Sequence, residues 1–293
     1  MEKLILVAGA TGNLGQKICR ELIKKNVSVR ALVRNGSHKE KIDALEKMGV
    51  DIFSVDLSNQ EELIAACSGV SCVVSAVAGL YDVIVESQTQ ILEAAIAAGV
   101  PRFIPSDFSS DFILIPEGEN RNFDLRKEFK RKIDHSPIQA TSIFNGCFAD
   151  ILRYNTPLFN VTTKTVAYYG DKADWAIDFT TMDDTAAYTA LVALDEDTPR
   201  SLNIASFSVS PNDLVQLSEK NKGERFKLIR KDTMENFSAD NKLQRAADID
   251  GEHNLYPKWQ QAQYLYSMFL VHHENLDNAR YPELNWSSVE ENI

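Results

Sequence analysis

Short apolar runs alternate with amphipathic stretches along the first half of the chain, and this alternation limits the fold more than any other feature. Leu4–Ala8 (LILVA) ends at a glycine, and the following residues 13–25 carry Leu14, Ile18 and Leu22 at i, i+4 and i+8. Further apolar runs occupy residues 27–33, 50–57, 72–78, 102–105 and 138–144, and helical spacing recurs over 39–48, 60–67 and 81–98. Gly99 and Pro101 close the last of these helices. Near-continuous apolar strands, each followed by an amphipathic helix, describe a parallel sheet covered on both faces. Crossovers between such strands are right-handed, so the expected fold is α/β with a doubly wound parallel sheet.

The regularity weakens after about residue 150. Short strands at 161–169, 201–206 and 226–230 mix there with helices near 183–194, 211–221 and 258–271. Ser210 and Asp213 stand at the spacing of a helix-capping pair. We therefore expect a nucleotide-binding type of domain over residues 1–150 and a smaller mixed α/β lobe over 151–293. Residues 178–206 are expected to return to the first domain.

Composition narrows the functional classes. Of 293 residues, 44% are hydrophobic and 25% charged, so the chain is globular rather than disordered. Lys and Arg number 31 against 42 Asp and Glu, a net charge of -11 that argues against a nucleic-acid partner. No apolar run reaches the roughly 18 residues of a membrane span, and the start of the chain is too short in apolar residues for a signal peptide. Cys19, Cys67, Cys72 and Cys147 are scattered, which fits reduced buried thiols in a cytoplasmic protein and no metal site.

Between the first strand and the first helix lies Gly9-Ala10-Thr11-Gly12-Asn13-Leu14-Gly15. One glycine permits a tight turn, one lets the backbone approach a pyrophosphate, and one lets strand and helix pack closely. The N–H groups opening the helix then face an anion. The spacing G-x-x-G-x-x-G follows a strand and opens a βαβ unit, the context that a dinucleotide loop requires. The second strand ends at Arg34, with no carboxylate before Glu40. A carboxylate there would repel the extra phosphate of NADP, whereas a guanidinium grips it through two hydrogen bonds. Arg34, helped by Lys39, is the expected phosphate reader, and NADP(H) the expected cofactor.

GATGNLG, VRALVR, AAGVPRFIPSDF and the ending YPELNWSSVEENI together resemble the NmrA-like and isoflavone-reductase-like proteins, atypical members of the short-chain dehydrogenase/reductase group. The resemblance runs from Leu4 to Asn292. It implies a Rossmann-type NADP-binding domain and a smaller substrate-binding lobe, with the active site in the cleft between them. It also implies either an NADPH-dependent oxidoreductase that reduces a small aromatic or conjugated carbonyl compound, or a redox-sensing regulator that binds NADP(H) without turnover. Carried onto this sequence, Gly9, Thr11, Gly12, Asn13, Leu14 and Gly15 match the pyrophosphate loop and Arg34 the phosphate contact. Ala76, Val77 and Ala78 match the stretch beside the nicotinamide ribose. Pro105-Ser106-Asp107-Phe108 matches a P-S-E-F segment with Asp for Glu, and Asn145 matches an Asn that faces the nicotinamide. The oligomeric state stays open.

One position departs from the pattern. The family's K-x-x-I-R-R-x-I-E helix supplies a lysine as proton donor or orienter, and the aligned residue here is Arg126. Along this helix Leu125, Phe129 and Ile133 form one apolar stripe, Arg126 flanks it, Lys130 is marginal and Lys127 should face solvent. Arginine stays protonated and is a poor acid, although it stabilises developing negative charge. Arg126, Ser106 and Asn145 are the expected catalytic set. The usual Tyr-x-x-x-Lys pair is absent after the fifth strand.

Residues 121–132 form a basic patch whose default reading is a solvated helix face, with Phe123 exposed. His272 and His273 are expected at a solvated helix end. Tyr168, Tyr169, Trp175 and Phe179 could line an aromatic pocket or belong to the core. Tyr264, Met268 and Val271 have the spacing of lobe packing.

Overall fold

The computed structural model describes residues 3–293. The alternation becomes β1 (Leu4–Ala8), α1 (Asn13–Lys24), β2 (Ser28–Arg34), α2 (Lys39–Lys47), β3 (Asp51–Val55), α3 (Gln60–Cys67), β4 (Cys72–Ser75), α4 (Gln88–Ala97), β5 (Arg102–Ile104), α5 (Arg121–Asp134) and β6 (Gln139–Ala140). β7 (Ser142–Phe144) and β8 (Cys147–Phe148) follow. The remainder holds β9 (Phe159–Asn160), β10 (Thr165–Tyr168), β11 (Ile177–Thr180), α6 (Met182–Leu194), β12 (Ser201–Asn203), β13 (Phe207–Val209), α7 (Pro211–Lys222), β14 (Lys227–Arg230), α8 (Met234–Ala247) and α9 (Lys258–Met268).

Among the described residues the main sheet has six strands in the order β3-β2-β1-β4-β5-β6, and each neighbouring pair is parallel. The order reverses between β1 and β4, so right-handed crossovers place helices on opposite faces. This is the expected Rossmann-type sheet. Residues 138–144 do not form one strand, because the run breaks at Thr141: β6 stays with the sheet and β7 pairs with β12.

The chain makes two compact units. The first takes in the chain through Phe108, then Leu125–Ile143 and Thr185–Leu202; the second takes in Ser109–Asp124, Phe144–Asp184 and Asn203–Ile293. Thr185–Leu202 of the first unit lie inside the stretch 178–206, and Ser109–Asp124 of the second lie before residue 150. In the first unit, Leu6, Val73 and Phe103 of the strands pack with Ile91, Phe129 and Ile133 of α4 and α5. Phe129 and Ile133 are buried and Leu125 half-buried, so the apolar stripe of α5 faces this core. Helix α6 has no basic residue in its last turn. Its closing carbonyls instead accept from cations elsewhere: Arg102 donates to Val192 O at 2.9 Å and Ala193 O at 3.2 Å, and Lys3 to Leu194 O at 2.8 Å.

The second unit holds two small mixed sheets, β14-β10-β9 and β13-β11-β8. Its core joins Phe159, Phe179, Phe226, Phe237 and Tyr266, with Tyr168, Tyr169 and Trp175 packed against it. The aromatic group of the sequence reading is thus core packing. Ser210 and Asp213 form the expected reciprocal cap on α7. Helix α8 was not foreseen.

Several surface expectations are corrected. Phe123 is 2% exposed, packed edge-on against Tyr264. Arg121 is 7% exposed, donates to Asn254 O at 2.9 Å and Leu255 O at 3.1 Å, and lies over the Trp259 ring. The basic patch is therefore no single solvated face. Lys127 is half-buried rather than open to solvent. Helix α9 stops at Met268, and His272 and His273 both reach buried Asp178: the His272 ring at 3.1 Å, the His273 N–H at 3.0 Å.

Candidate functional site

The glycine segment turns as tightly as its spacing requires. Gly9 has φ +79°, and a Cβ there would stand 2.6 Å from the Ala76 carbonyl oxygen. A Cβ on Gly15 would strike the Gly9 carbonyl, and one on Gly12 would sit 3.1 Å from that same oxygen. Gly12 opens α1 in extended conformation. No side chain caps this helix and no carboxylate stands in its first turn. Asn59 caps the start of α3 and Thr233 that of α8, while α2 and α9, like α1, start without a side-chain cap. An uncapped helix start in a cradle that a methyl group would fill suits a phosphate anion. Thr11 and Leu14 are half-buried and Asn13 exposed.

β1 and β2 pair with Ala8 opposite Leu32, so Arg34 emerges two residues further on, at the same edge as the glycine turn. Arg34 and Lys39 are exposed. Gly36 has φ +81°, and the Ser37 hydroxyl donates to Arg34 O at 2.7 Å, which turns the chain directly after β2.

β4 delivers the next segment. Ala76 N–H donates to Ala8 O at 2.8 Å, extending the sheet beyond the formal strand end and bringing Ala76 against Gly9. Val77 O then accepts the Ser106 hydroxyl at 2.6 Å. Ala78 is exposed. After Gly79 and Tyr81 the expected helix over 81–98 begins as a wide π-turn over Asp82–Ser87 and narrows to α only at Gln88. π-turns free backbone carbonyls, and here a side chain uses one: Gln88 Nε2 donates to Ile84 O at 2.8 Å. The other end of Gln88 accepts the Ser106 N–H at 2.9 Å. Gln88 is fully buried, and the sequence reading missed it. No signal marked it, since Glu86, Ser87, Thr89 and Gln90 beside it are polar as well.

Pro105 and Ser106 are buried just past β5, where open α/β sheets receive ligands. All three polar groups of Ser106 are engaged. Its N–H goes to Gln88, its hydroxyl to Val77 O, and its carbonyl accepts the Arg126 Nε–H at 3.0 Å. Arg126 is half-buried on α5. Gly9, Ala76, Val77, Ser106 and Arg126 thus form one continuous constellation in the first unit. Asp107 follows at 1% exposure, and burial pushes its carboxyl above the ordinary range, against the pull of Ser142, Arg126, Arg200 and Lys130.

Asn145 belongs to the second unit and is fully buried. Its N–H donates to Ser109 O at 3.0 Å, and its carbonyl accepts the Thr180 hydroxyl at 2.7 Å. Gly146 next to it has φ +61°, and a Cβ there would strike the Asp178 carbonyl. Burial pushes the thiols of Cys19, Cys72 and Cys147 up to about 12 and that of Cys67 to about 11. None is a ready thiolate. Among the described residues no group of His, Cys, Asp and Glu could hold a metal, and no helix is long and apolar enough to cross a membrane.

Comparison with known proteins agrees with this architecture. The model of the NmrA-like family matches residues 1–291. Pinoresinol reductase 1 of Arabidopsis thaliana is 31% identical over 246 residues, which cover 75% of this chain and 74% of that protein. The solved structure of AtPrR2 with NADP+ and (+)pinoresinol superposes with a TM-score of 0.81 at 24% identity, covering 99% of this chain and 97% of the other. That of the binary complex of leucoanthocyanidin reductase and NADPH from Vitis vinifera gives 0.77 at 21% identity, covering 98% and 97%.

Proposed function

This chain belongs to the NmrA-like family, and from that premise we propose that it is an NADPH-dependent reductase of a small aromatic or conjugated carbonyl compound of the phenylpropanoid type. The observation that carries the reading is the constellation running from the glycine turn through Val77 and Ser106 to Arg126. The relation to pinoresinol reductase 1 supports a phenylpropanoid-type substrate.

In this reading Gly9, Thr11, Gly12, Asn13, Leu14 and Gly15 hold the pyrophosphate at the start of α1, and Arg34 holds the additional phosphate. Ala76, Val77, Ala78, Pro105 and Ser106 line the path of the nicotinamide ribose. The cofactor, when bound, supplies a hydride. Arg126 stabilises the negative charge that builds on the substrate oxygen, and Asn145 orients the nicotinamide. A guanidinium does not give up its proton at ordinary pH, so water supplies the proton that completes the product.

The resemblance implies a lysine at the position of Arg126, and that departure favours a second reading. A dinucleotide-binding regulator without turnover would tolerate that exchange. Its sensing would rest on NADP(H) itself, since the buried thiols are protonated. NADPH oxidation followed by nicotinamide absorbance, against quinones, enones, aromatic aldehydes and pinoresinol, separates the two. We expect oxidation with at least one compound. Tight NADPH binding with no oxidation across the panel would replace the reductase by the regulator.

A further inference from the structure

We propose that Ser142 and Arg200 are positioning residues for this site, because they close a circuit of hydrogen bonds that fixes the Arg126 guanidinium. The proposal rests on the reductase reading above for its catalytic meaning.

The circuit can be followed bond by bond. Arg126 donates to Ser106 O at 3.0 Å, and the next residue along the chain is Asp107. Asp107 Oδ2 accepts the Ser142 hydroxyl at 2.7 Å, and that hydroxyl oxygen accepts Arg200 Nη1 at 2.7 Å. Arginine can only donate, so the single hydroxyl proton of Ser142 must point at Asp107. The backbone repeats the tie, since Ser142 N–H donates to Arg200 O at 2.9 Å. Arg200 then donates from Nε to Asp134 Oδ1 at 2.8 Å, and its Nη2 stands 2.7 Å from the same oxygen as an ion pair. Asp134 also takes Lys130. Arg126, Lys130 and Asp134 stand at i, i+4 and i+8 on α5, one face of the helix. The helix itself closes the circuit back to Arg126.

This arrangement does two things that an isolated bond to Ser106 would not. It fixes the helix against the β5 exit at both ends of the same face, so that the guanidinium can neither slide along the helix axis nor tilt. It also gives the buried Asp107 Oδ2 a donor, where a missing one is costly. Ser142 is fully buried and has a neutral side chain, so its role in the circuit is geometric. Because each link depends on the others, opening the circuit once should release Arg126 as fully as opening it twice.

The test uses Ser142→Ala, Arg200→Gln and the double variant, each in the full chain labelled with [15N]arginine. The Nε–H resonance of Arg126 is assigned by its disappearance in Arg126→Lys. We expect that resonance to shift in both single variants, with no further shift in the double. For a compound that wild type reduces, kcat should fall on the order of tenfold in each single variant and no further in the double, as expected for a misplaced group. NADPH affinity by fluorescence titration should stay within about twofold, since neither residue reaches the phosphate loop. An unmoved Arg126 resonance in both variants overturns the inference whatever the turnover. So does unchanged kcat in both, or additive losses in the double. If wild type reduces nothing while the resonance moves, the reductase reading falls and the circuit that holds Arg126 stands.

Discussion

The two ends of the candidate site in the first unit are built on opposite plans. At the glycine turn the protein withholds its own side chains: α1 is uncapped, Arg34 is exposed, and a methyl group on Gly12 or Gly15 would crowd the turn. At the β5 exit it commits nearly everything: Ser106 has all three polar groups engaged, and Asp107 is buried within a network of cations. The first plan keeps donors available for an arriving anion, and the second fixes groups in advance of any ligand. Binding energy and orientation are thereby assigned to different places. A fault at one end should change affinity, and a fault at the other should change rate or stability.

Gly15→Ala is the harshest way to break that division. The added methyl would meet the Gly9 carbonyl, and its next neighbours would be 2.8 and 2.9 Å away, all of them backbone. The turn must open, at about 3 kcal/mol of stability, and NADPH binding should be lost with it. Thermal melting and fluorescence titration check this together. If both are unchanged, the turn is looser than its geometry states.

Arg34→Ala should act on affinity alone. Loss of a charged hydrogen bond of about 1.5–3 kcal/mol weakens NADPH roughly ten- to hundredfold, and NADH hardly at all. Calorimetry with both cofactors decides it; equal losses would remove Arg34 from the phosphate site.

Asp107→Asn probes the committed end through the pH dependence of stability. The native carboxyl titrates above its ordinary value, so its contribution to stability is complete below about pH 3.9 and is lost as pH rises through the raised value. Asparagine has no such loss. The stability of the variant relative to wild type should therefore rise between pH 4 and 8, as denaturant titrations across that range would show. A relative stability that falls as pH rises would mean that Arg126, Arg200 and Lys130 outweigh the burial.

How far the sequence could be read follows the same division. Gly9, Gly12 and Gly15 announce their turn because the constraint is local: a backbone conformation and two close approaches within seven residues. The alternation of strand and helix was readable for a similar reason. Gln88, Ser142 and Arg200 were not, because their partners lie 18, 35 and 58 residues away and no spacing rule links them. Helix α8 escaped notice because its buried residues, Phe237, Ser238 and Asn241, include one hydrophobe and two polar side chains. Phe123 looked exposed beside its charged neighbours, yet it pairs with Tyr264 far along the chain. The continuation of α9 to residue 271 failed because His272 and His273 are drawn to Asp178, an attraction that helical periodicity does not express.

The clasp on the end of α6 bears on how the protein is made. Arg102, buried in β5, finds its acceptors at Val192, Ala193 and Thr198, some ninety residues downstream. A nascent chain that has left the ribosome only through its sixth strand would hold a guanidinium among apolar neighbours with nothing to receive its protons. Such a chain must either leave that edge of the sheet wet or wait. The early half thus depends on synthesis reaching the later one, and an excised amino-terminal fragment would inherit the same unmet demand.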